Sequence, residues 1–414
     1  MTGPSSSPSS PDAGGRLRIA HVTNFQVPGY GYEEIELSRA QHRMGHEVTI
    51  ITSNYLYPSG AYSVLRRRFP SRQVASGDEM DDGVRVLRLH SFEFAGRLWI
   101  RGLAQSLREF DPHVIHCHNL LQFHPPRVAW LRARGQSGAA IVVDDHMHSG
   151  FVRRSALGQL FYGTYRLVGQ PILARYVDRF SAIAEDTREY MRTECGVKAT
   201  IDLVPLGVEV DRLVPDPIRR QQIRDQLGLT ALDLVFLYTG KVIPDKGVHL
   251  LVEAAGALQS EGRRVAVIVV GDADEAYERH LRSMSRRGSS QVALHLIPSV
   301  ENDRLPEWYG AADVGVWPRQ ESMSVFEAMA AGLPVVVSAA SGLAHIVEQG
   351  RGLTYRPETA TALANSLRGL TDPAVRDRFG REGRALAETE LSWERSAERY
   401  LRIYRQAIAA HAAS

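Results

Sequence analysis

The 414-residue sequence holds only two cysteines, Cys117 and Cys195, far apart in the chain. They allow neither a disulfide framework nor a cysteine metal spacing, which predicts a reducing, cytoplasmic home. Charge imbalance is missing as well. With 49 Lys+Arg against 47 Asp+Glu, the formal net charge of +2 gives no general attraction to nucleic acid, although arginines gather locally in "VLRRRFPSR" (64–72). No window holds the long uncharged apolar run of a spanning helix. The opening "MTGPSSSPSSPDAGG" has neither the basic start nor the apolar stretch of a secretion signal, so residues 1–15 read as a disordered tail. These absences leave peripheral contact with the inner membrane face open.

What is present is ordinary globular composition, 44% apolar and 23% charged, on a chain too long for a single core. From Leu17, short β-branched runs alternate with amphipathic ones: "LRIAHVTNF", "EEIELSRAQHRMGHE", "VTIITS", then "VIHCHN", "AAIVVDDH" and "RFSAIAED". Strands separated by helices of that length predict parallel βαβ units. The alternation is interrupted by "IDLVPLGVEVDRLVPDP" and restarts with "DLVFLYTG", "RVAVIVVG", "VALHLIP", "ADVGVWP" and "LPVVVS". The expected class is therefore α/β, with two doubly wound Rossmann-like domains, a boundary near residues 206–232 and a cleft between them as the ligand site. The domains are placed at 16–206 and 207–385. Residues 386–414 are expected to pack back on the first domain, through the stripe Trp393, Ala397, Tyr400, Leu401, Tyr404 and Ile408 behind an N-capping Ser392.

Two stretches carry the chemistry. In "RQESMSVFEAMAAGLPVV" (319–336) a turn leads into an Ala-rich helix closed by Gly332. Amides near Met323, Ser324 and Val325 can hold an anion with the helix dipole, and Glu327 can accept hydrogen bonds from a diol such as ribose. Taken alone, Glu321 and Glu327 would more readily be surface residues favouring the dipole. In "YTGKVIPDKGVHLLVEAA" (238–255), Gly240, Lys241, Lys246 and Gly247 fall in the turn before a helix. A cation at a helix start opposes the dipole unless an anion lies nearby, and a diphosphate would supply one. The competing reading is two solvated lysines in a polar loop.

These motifs, with "PGYGYEEIELSRAQHRMGHEVTIIT", "DPHVIHCHN", "IVVDDH", "SAIAEDTREYM", "VPLGVEVDRLVP", "VVGDAD" and "LPEWYGAADVGVWP", resemble the family 4 glycosyltransferases of the GT-B fold from Leu17 to the C-terminal helix. The resemblance implies an enzyme that moves a sugar from a nucleotide-diphosphate sugar to a hydroxyl acceptor, retaining anomeric configuration and needing no metal or other cofactor. It implies that Lys241 and Lys246 clamp the diphosphate, Glu327 holds the ribose, and His146, preferred over His148, touches the donor sugar near the reacting carbon. Gly29 and Gly31 match a glycine-rich loop near the diphosphate and acceptor, although tyrosine separates them here and a plain turn also fits. The family usually has arginine at the position of Lys241. Its two glutamates are seven residues apart, a spacing that lands on Arg319 rather than Glu321. Either a shorter turn, with Ser322 and Ser324 capping the helix, lets Glu321 reach the sugar, or Arg319 takes that place; the shorter turn is preferred.

"HCHN" puts His116 and His118 on one face of a strand, a pattern that invites zinc, yet no third ligand is spaced to complete it and no metal is expected. "GDAD" (271–274) mimics the Asp-x-Asp of metal-dependent transferases, but Asp272 reads as a loop residue near the nucleotide base. Tyr55, Tyr57, Tyr62 and the arginines of 64–72 could line an acceptor site or meet an anionic membrane. Rival functions are a nucleotide-sugar-binding protein without transferase activity, and a GT-B epimerase or sugar phosphorylase. The donor base (uridine, guanosine or adenosine), the sugar, the acceptor and the oligomeric state are not encoded in any readable motif.

Overall fold

The computed structural model describes residues 15–59, 66, 69–94, 96–147, 156–286, 291–320 and 322–413. The chain forms two compact units: Met1–Gly207 with Trp393–Ser414, and Val208–Ser392. The C-terminal helix thus lies in the first unit.

In the first unit the strands are Arg18–Val22 (β1), Glu47–Ser53 (β2), Gly77–Asp81 (β3), Val84–Leu89 (β4), Ser91–Phe94 (β5), Arg97–Ile100 (β6), Val114–Cys117 (β7), Ala140–Asp145 (β8), Arg179–Ala182 (β9) and Ile201–Leu203 (β10). Eight of them form one sheet in the order β10-β9-β8-β7-β1-β2-β4-β3, parallel except for β3 at the edge, while β5 and β6 make a separate hairpin. Strands buried on both faces need continuous Val/Ile runs, and β7 and β8 are buried throughout. The helix Trp393–Ala412 covers one face of this sheet, with Ala397, Tyr400 and Tyr404 fully buried beside Ile19, Ile50 and Val142. Gly207 permits that docking: a Cβ there would come within 2.6 Å of the Trp393 Cα. Both cysteines are buried free thiols.

The second unit contains Leu234–Thr239 (β11), Val265–Val270 (β12), Ala293–Ile297 (β13), Val314–Trp317 (β14), Val335–Ser338 (β15) and Gly352–Tyr355 (β16). Their order, β13-β12-β11-β14-β15-β16, is wholly parallel. Both units are doubly wound, so the chain reverses direction across each sheet, between β7 and β1 and between β11 and β14. Ligands of such sheets bind outside the carboxyl ends of the strands at those points. The Pro-rich interruption read from the sequence is in part a helix start: Asp216 caps Pro217–Gln226 by accepting from the amides of Ile218 (2.9 Å) and Arg219 (3.1 Å). Such a cap contributes about 1 kcal/mol.

Candidate functional site

Polar residues that interrupt the apolar runs of β1, β7 and β8 meet at the switch point of the first unit. Asp144, at the end of β8, is fully buried and lies 2.7 Å from His118 Nδ1, 3.2 Å from His116 Nε2 and 3.5 Å from His146 Nε2. Burial alone would raise its pKa, but the three imidazoles outweigh burial and hold it well below the usual carboxylate range. Burial works against a charge on His118, but the Asp144 carboxylate outweighs burial and shifts its pKa upward. His118 Nε2 lies 2.9 Å from His21 Nδ1, and His21 Nε2 lies 2.8 Å from the Gln41 amide oxygen. His21 stays neutral, because burial and the neighbouring imidazoles push its pKa down. On the other side, Tyr404 of the C-terminal helix lies 2.8 Å from His116 Nδ1 and receives a hydrogen bond from Gln41 Nε2 at 3.2 Å.

His146 completes the cluster. Its Nε2 is 2.5 Å from Glu33 Oε2, at the first turn of the helix Glu33–Arg43; the Glu33 side chain is 2% exposed and the His146 side chain 25%. Burial works against its charge, but Glu33 and Asp144 together raise its pKa well above the ordinary value. Glu33 and Asp144 thus face His118 and His146, with His146 as the partly exposed member. Asp145 differs: burial pushes its carboxyl up to about 6, although it accepts from the amides of Met147 and Leu120.

The expectation that nothing completes the His116–His118 pair is corrected here. The fold brings His21, Asp144, Glu33 and His146 to it, giving two groups whose ligand atoms lie within 4.8 Å of one another: His21, His116 and His118, and Glu33, His118, Asp144 and His146. Sequence spacing could not show this, since the partners come from three other elements; the available signal was histidine and aspartate inside runs that read as buried strand. The nitrogen and oxygen donors suit a divalent cation in kind. In this structure they lie within ion-pair distance of one another, and Glu33 Oε2, His116 Nε2 and His146 Nε2 are buried without a hydrogen-bond partner.

Elsewhere in the first unit, Gly29 has a positive φ (73°) in the turn before Glu33, the conformation a glycine turn requires, and Gly31 lies between it and the helix. Tyr57 does not line a surface site: it is buried, and its hydroxyl donates to the Phe69 carbonyl (2.7 Å). Glu321, His148 and Tyr62 lie outside the described residues.

In the second unit, the loop after β11 carries Gly240 (φ 131°), Lys241, the turn Pro244–Lys246 and Gly247 (φ 73°), which leads directly into the helix Val248–Ser260. A Cβ on Gly271 would overlap the Gly240 carbonyl, so β11 and β12 end in close backbone contact. The close approach of the two strand ends requires glycine at position 271. Lys246 therefore sits just ahead of a helix N-terminus, as read from the sequence, and Lys241 is exposed.

After β14 the chain packs back on this loop. A Cβ on Gly247 would meet Arg319 Cγ at 2.9 Å, so Arg319 lies against the lysine turn. Its Nε is 3.7 Å from Glu358, which also accepts from the Ser338 hydroxyl at 2.6 Å. Asp245, Arg319, Gln320, Ala340 and Glu358 line a recess of ≈ 360 Å³. The helix that follows is Ser324–Ala330. Ser322 and Ser324 do not cap it, which corrects the sequence reading: the N-cap position is Met323, without a side-chain cap. The Ser324 hydroxyl instead donates to the Thr239 carbonyl (3.0 Å) and is joined by Trp317 Nε1 (3.1 Å), tying β14 to the end of β11. The Val325 amide donates within the chain, to the Ser322 carbonyl at 3.0 Å.

Glu327 is held by Tyr309, whose hydroxyl donates to Oε2 at 2.6 Å and lies 2.9 Å from Thr239 Oγ1. Burial raises the Glu327 pKa and the Tyr309 hydrogen bond opposes that rise. Tyr309 was not foreseen; its buried aromatic position in "LPEWYGAADVGVWP" reads only as core. Asp272 is a loop residue, with its carboxylate accepting from the Ser299 hydroxyl (2.5 Å) and amide (3.3 Å). Asp274 caps the helix Glu275–Ser285, so both aspartates of the apparent Asp-x-Asp have local structural partners.

Comparison with known proteins agrees with this division. Residues 35–212 match the family model "Glycosyltransferase Family 4", and residues 233–372 match "Glycosyl transferases group 1". The chain is 29% identical to the D-inositol 3-phosphate glycosyltransferase of Xylanimonas cellulosilytica, over 94% of this chain and 95% of that protein. Its fold is similar to sucrose-phosphate synthase from Thermosynechococcus elongatus (TM-score 0.67, 23% identity, 95% and 100% of the two chains). It is also similar to Anabaena HepE in complex with UDP (TM-score 0.69, 17% identity, 94% and 99%). With one such model on each Rossmann-like unit and whole-chain matches of the same fold, the protein is a glycosyltransferase of the GT-B fold.

Proposed function

We propose that the protein transfers a sugar from a nucleotide-diphosphate sugar to a hydroxyl acceptor, with retention of anomeric configuration and without a metal, as expected of a family 4 enzyme. The observation that carries this reading is Lys246 set immediately before the helix Val248–Ser260, with Arg319 against the adjoining Gly247. Cations gathered at the positive end of a helix, at the switch point of a doubly wound sheet, are most stable when an anion joins them. A diphosphate fits that role, and Lys241 and Lys246 would stabilise the charge it gains on leaving. Glu327, fixed by Tyr309, is suited to accept from the ribose hydroxyls.

In the transfer, the acceptor oxygen forms a bond to the anomeric carbon on the face from which the diphosphate departs. The bond between that carbon and the phosphate oxygen breaks, its electron pair leaves with the diphosphate, and the acceptor proton passes to the leaving oxygen. His146 is charged by its carboxylate neighbours, so it serves as a hydrogen-bond donor that orients the sugar and not as the attacking group. The HepE structure holds UDP, and the curated relative acts on an inositol phosphate, which makes UDP-sugars and small polyol phosphates the first donors and acceptors to test.

The test is thermal stabilisation by UDP-, GDP- and ADP-sugars in the presence of EDTA, followed by product anomer analysis. A ligand at about 100 times its Kd adds roughly 2.7 kcal/mol of apparent stability. Stabilisation by one nucleotide class in EDTA, lost in Lys241→Ala/Lys246→Ala, is the expected result. A shift that requires metal, or turnover surviving the double substitution, would overturn the proposal.

A further inference from the structure

We propose that the first unit docks on an anionic lipid surface through a helical ridge and the hairpin beside it, independently of the sugar chemistry. The ridge is Ala156–Thr164, a π-helical turn Tyr165–Gly169 and the helix Gln170–Tyr176, running without a break for roughly 30 Å at helical rise. Leu173 faces the core, whereas Leu160 (67% exposed), Leu167 (78%), Val168 (56%) and Ile172 (38%) face solvent. Hairpin β5–β6 adds Phe94 (68%) and Trp99 (39%). It is joined to the ridge by Arg97, whose guanidinium stacks on Phe161 at 4.2 Å. Isolated exposed apolar residues need no explanation, but a contiguous group does.

Charge identifies the occupant. From His146 to Val177 the sequence has four arginines and no aspartate or glutamate, in a chain with 47 acidic residues among 414. Arg166 and Arg175 are exposed on the ridge itself. Apolar side chains flanked by arginine, with no acid to repel phosphate headgroups, are the composition of a helix that lies in a membrane interface. Among the described residues no helix is long and apolar enough to cross a membrane, so the contact is one of surface docking. This surface differs from the tyrosine and arginine segment suspected from sequence, where Tyr57 is buried.

The experiment is flotation of the full chain with vesicles of phosphatidylcholine alone or with about one third phosphatidylglycerol, at low and high salt. Binding to the anionic vesicles, weakened by salt, is expected. Leu167→Glu/Val168→Glu should lower the bound fraction by more than about tenfold. Arg166→Glu/Arg175→Glu should remove the anionic preference, by about fivefold per arginine. All four positions are exposed, so unfolding transitions should match the parent and separate lost docking from lost folding. Failure to bind either vesicle, or full binding by Leu167→Glu/Val168→Glu, would overturn the proposal. A concentration-dependent dimer that Leu167→Glu/Val168→Glu dissociates would overturn it too, assigning the ridge to a second copy of the chain. None of these readouts depends on transferase activity.

Discussion

Replacing Glu33 by glutamine removes one negative charge from the His146 cluster while keeping the size of the side chain. In the parent, the Glu33 side chain is 2% exposed, its Oε2 lies 2.5 Å from His146 Nε2, and the nearest other carboxylate oxygen, from Asp144, is 3.5 Å away. Breaking a buried ion pair by removing one partner costs 3–5 kcal/mol; glutamine keeps an acceptor, so the low end, about 3 kcal/mol, is expected. For a unit of this size that lowers Tm by roughly 6–12 °C. The pH dependence carries the sign. The folded-state pKa of His146 lies above its ordinary 6.5, so its stabilisation is fully present below that pH and disappears as pH rises through the elevated value. With Glu33→Gln only Asp144 supports the charge, and the alkaline loss should begin at lower pH. Urea unfolding of parent and variant across this range measures both effects. A difference under about 0.5 kcal/mol with an unchanged alkaline limb would refute the reasoning, because the pair would then contribute no more than an exposed one.

Three further substitutions have outcomes that follow from the geometry. Tyr309→Phe removes the hydroxyl shared by Thr239 and Glu327, and should cost about 1–3 kcal/mol by leaving buried polar atoms without a partner. The same change should move the pH dependence of nucleotide binding upward, because Glu327 loses the hydrogen bond that lowers its pKa. Gly207→Ala places a methyl within 2.6 Å of the Trp393 Cα and should destabilise by about 2 kcal/mol in urea unfolding, by pushing the C-terminal helix off its sheet. Lys246→Ala should lower kcat/KM for transfer by about 10²-fold; a fall of less than about threefold would remove it from the diphosphate site.

Much of the fold was legible in the sequence because parallel strands buried on both faces must be near-continuous apolar runs. "DLVFLYTG", "RVAVIVVG" and "LPVVVS" are β11, β12 and β15, and "VIHCHN" and "AAIVVDDH" are β7 and β8. The turn chemistry of "GKVIPDKG" was legible for the same local reason, since glycine, proline and the following helix lie within a few residues. Hairpin β5–β6 escaped the reading, because its half-exposed strands alternate too briefly to stand out. The change of Ser324 from an expected helix cap to a tie between β11 and β14 is equally invisible in a local pattern. It depends on the Thr239 carbonyl, 85 residues from Ser324 in sequence.

The sequence by itself determined two doubly wound units and the placing of Lys241, Lys246 and Glu327 after particular strands, since period, glycine and proline act over one turn or one strand. Only the tertiary structure decided the partners of His146 and Asp144. Glu33 opens a helix, His118 follows another strand, and Tyr404 lies 288 residues from His116. Strand order in a parallel sheet brings them together, and the charge of each depends on distances that no spacing along the chain contains.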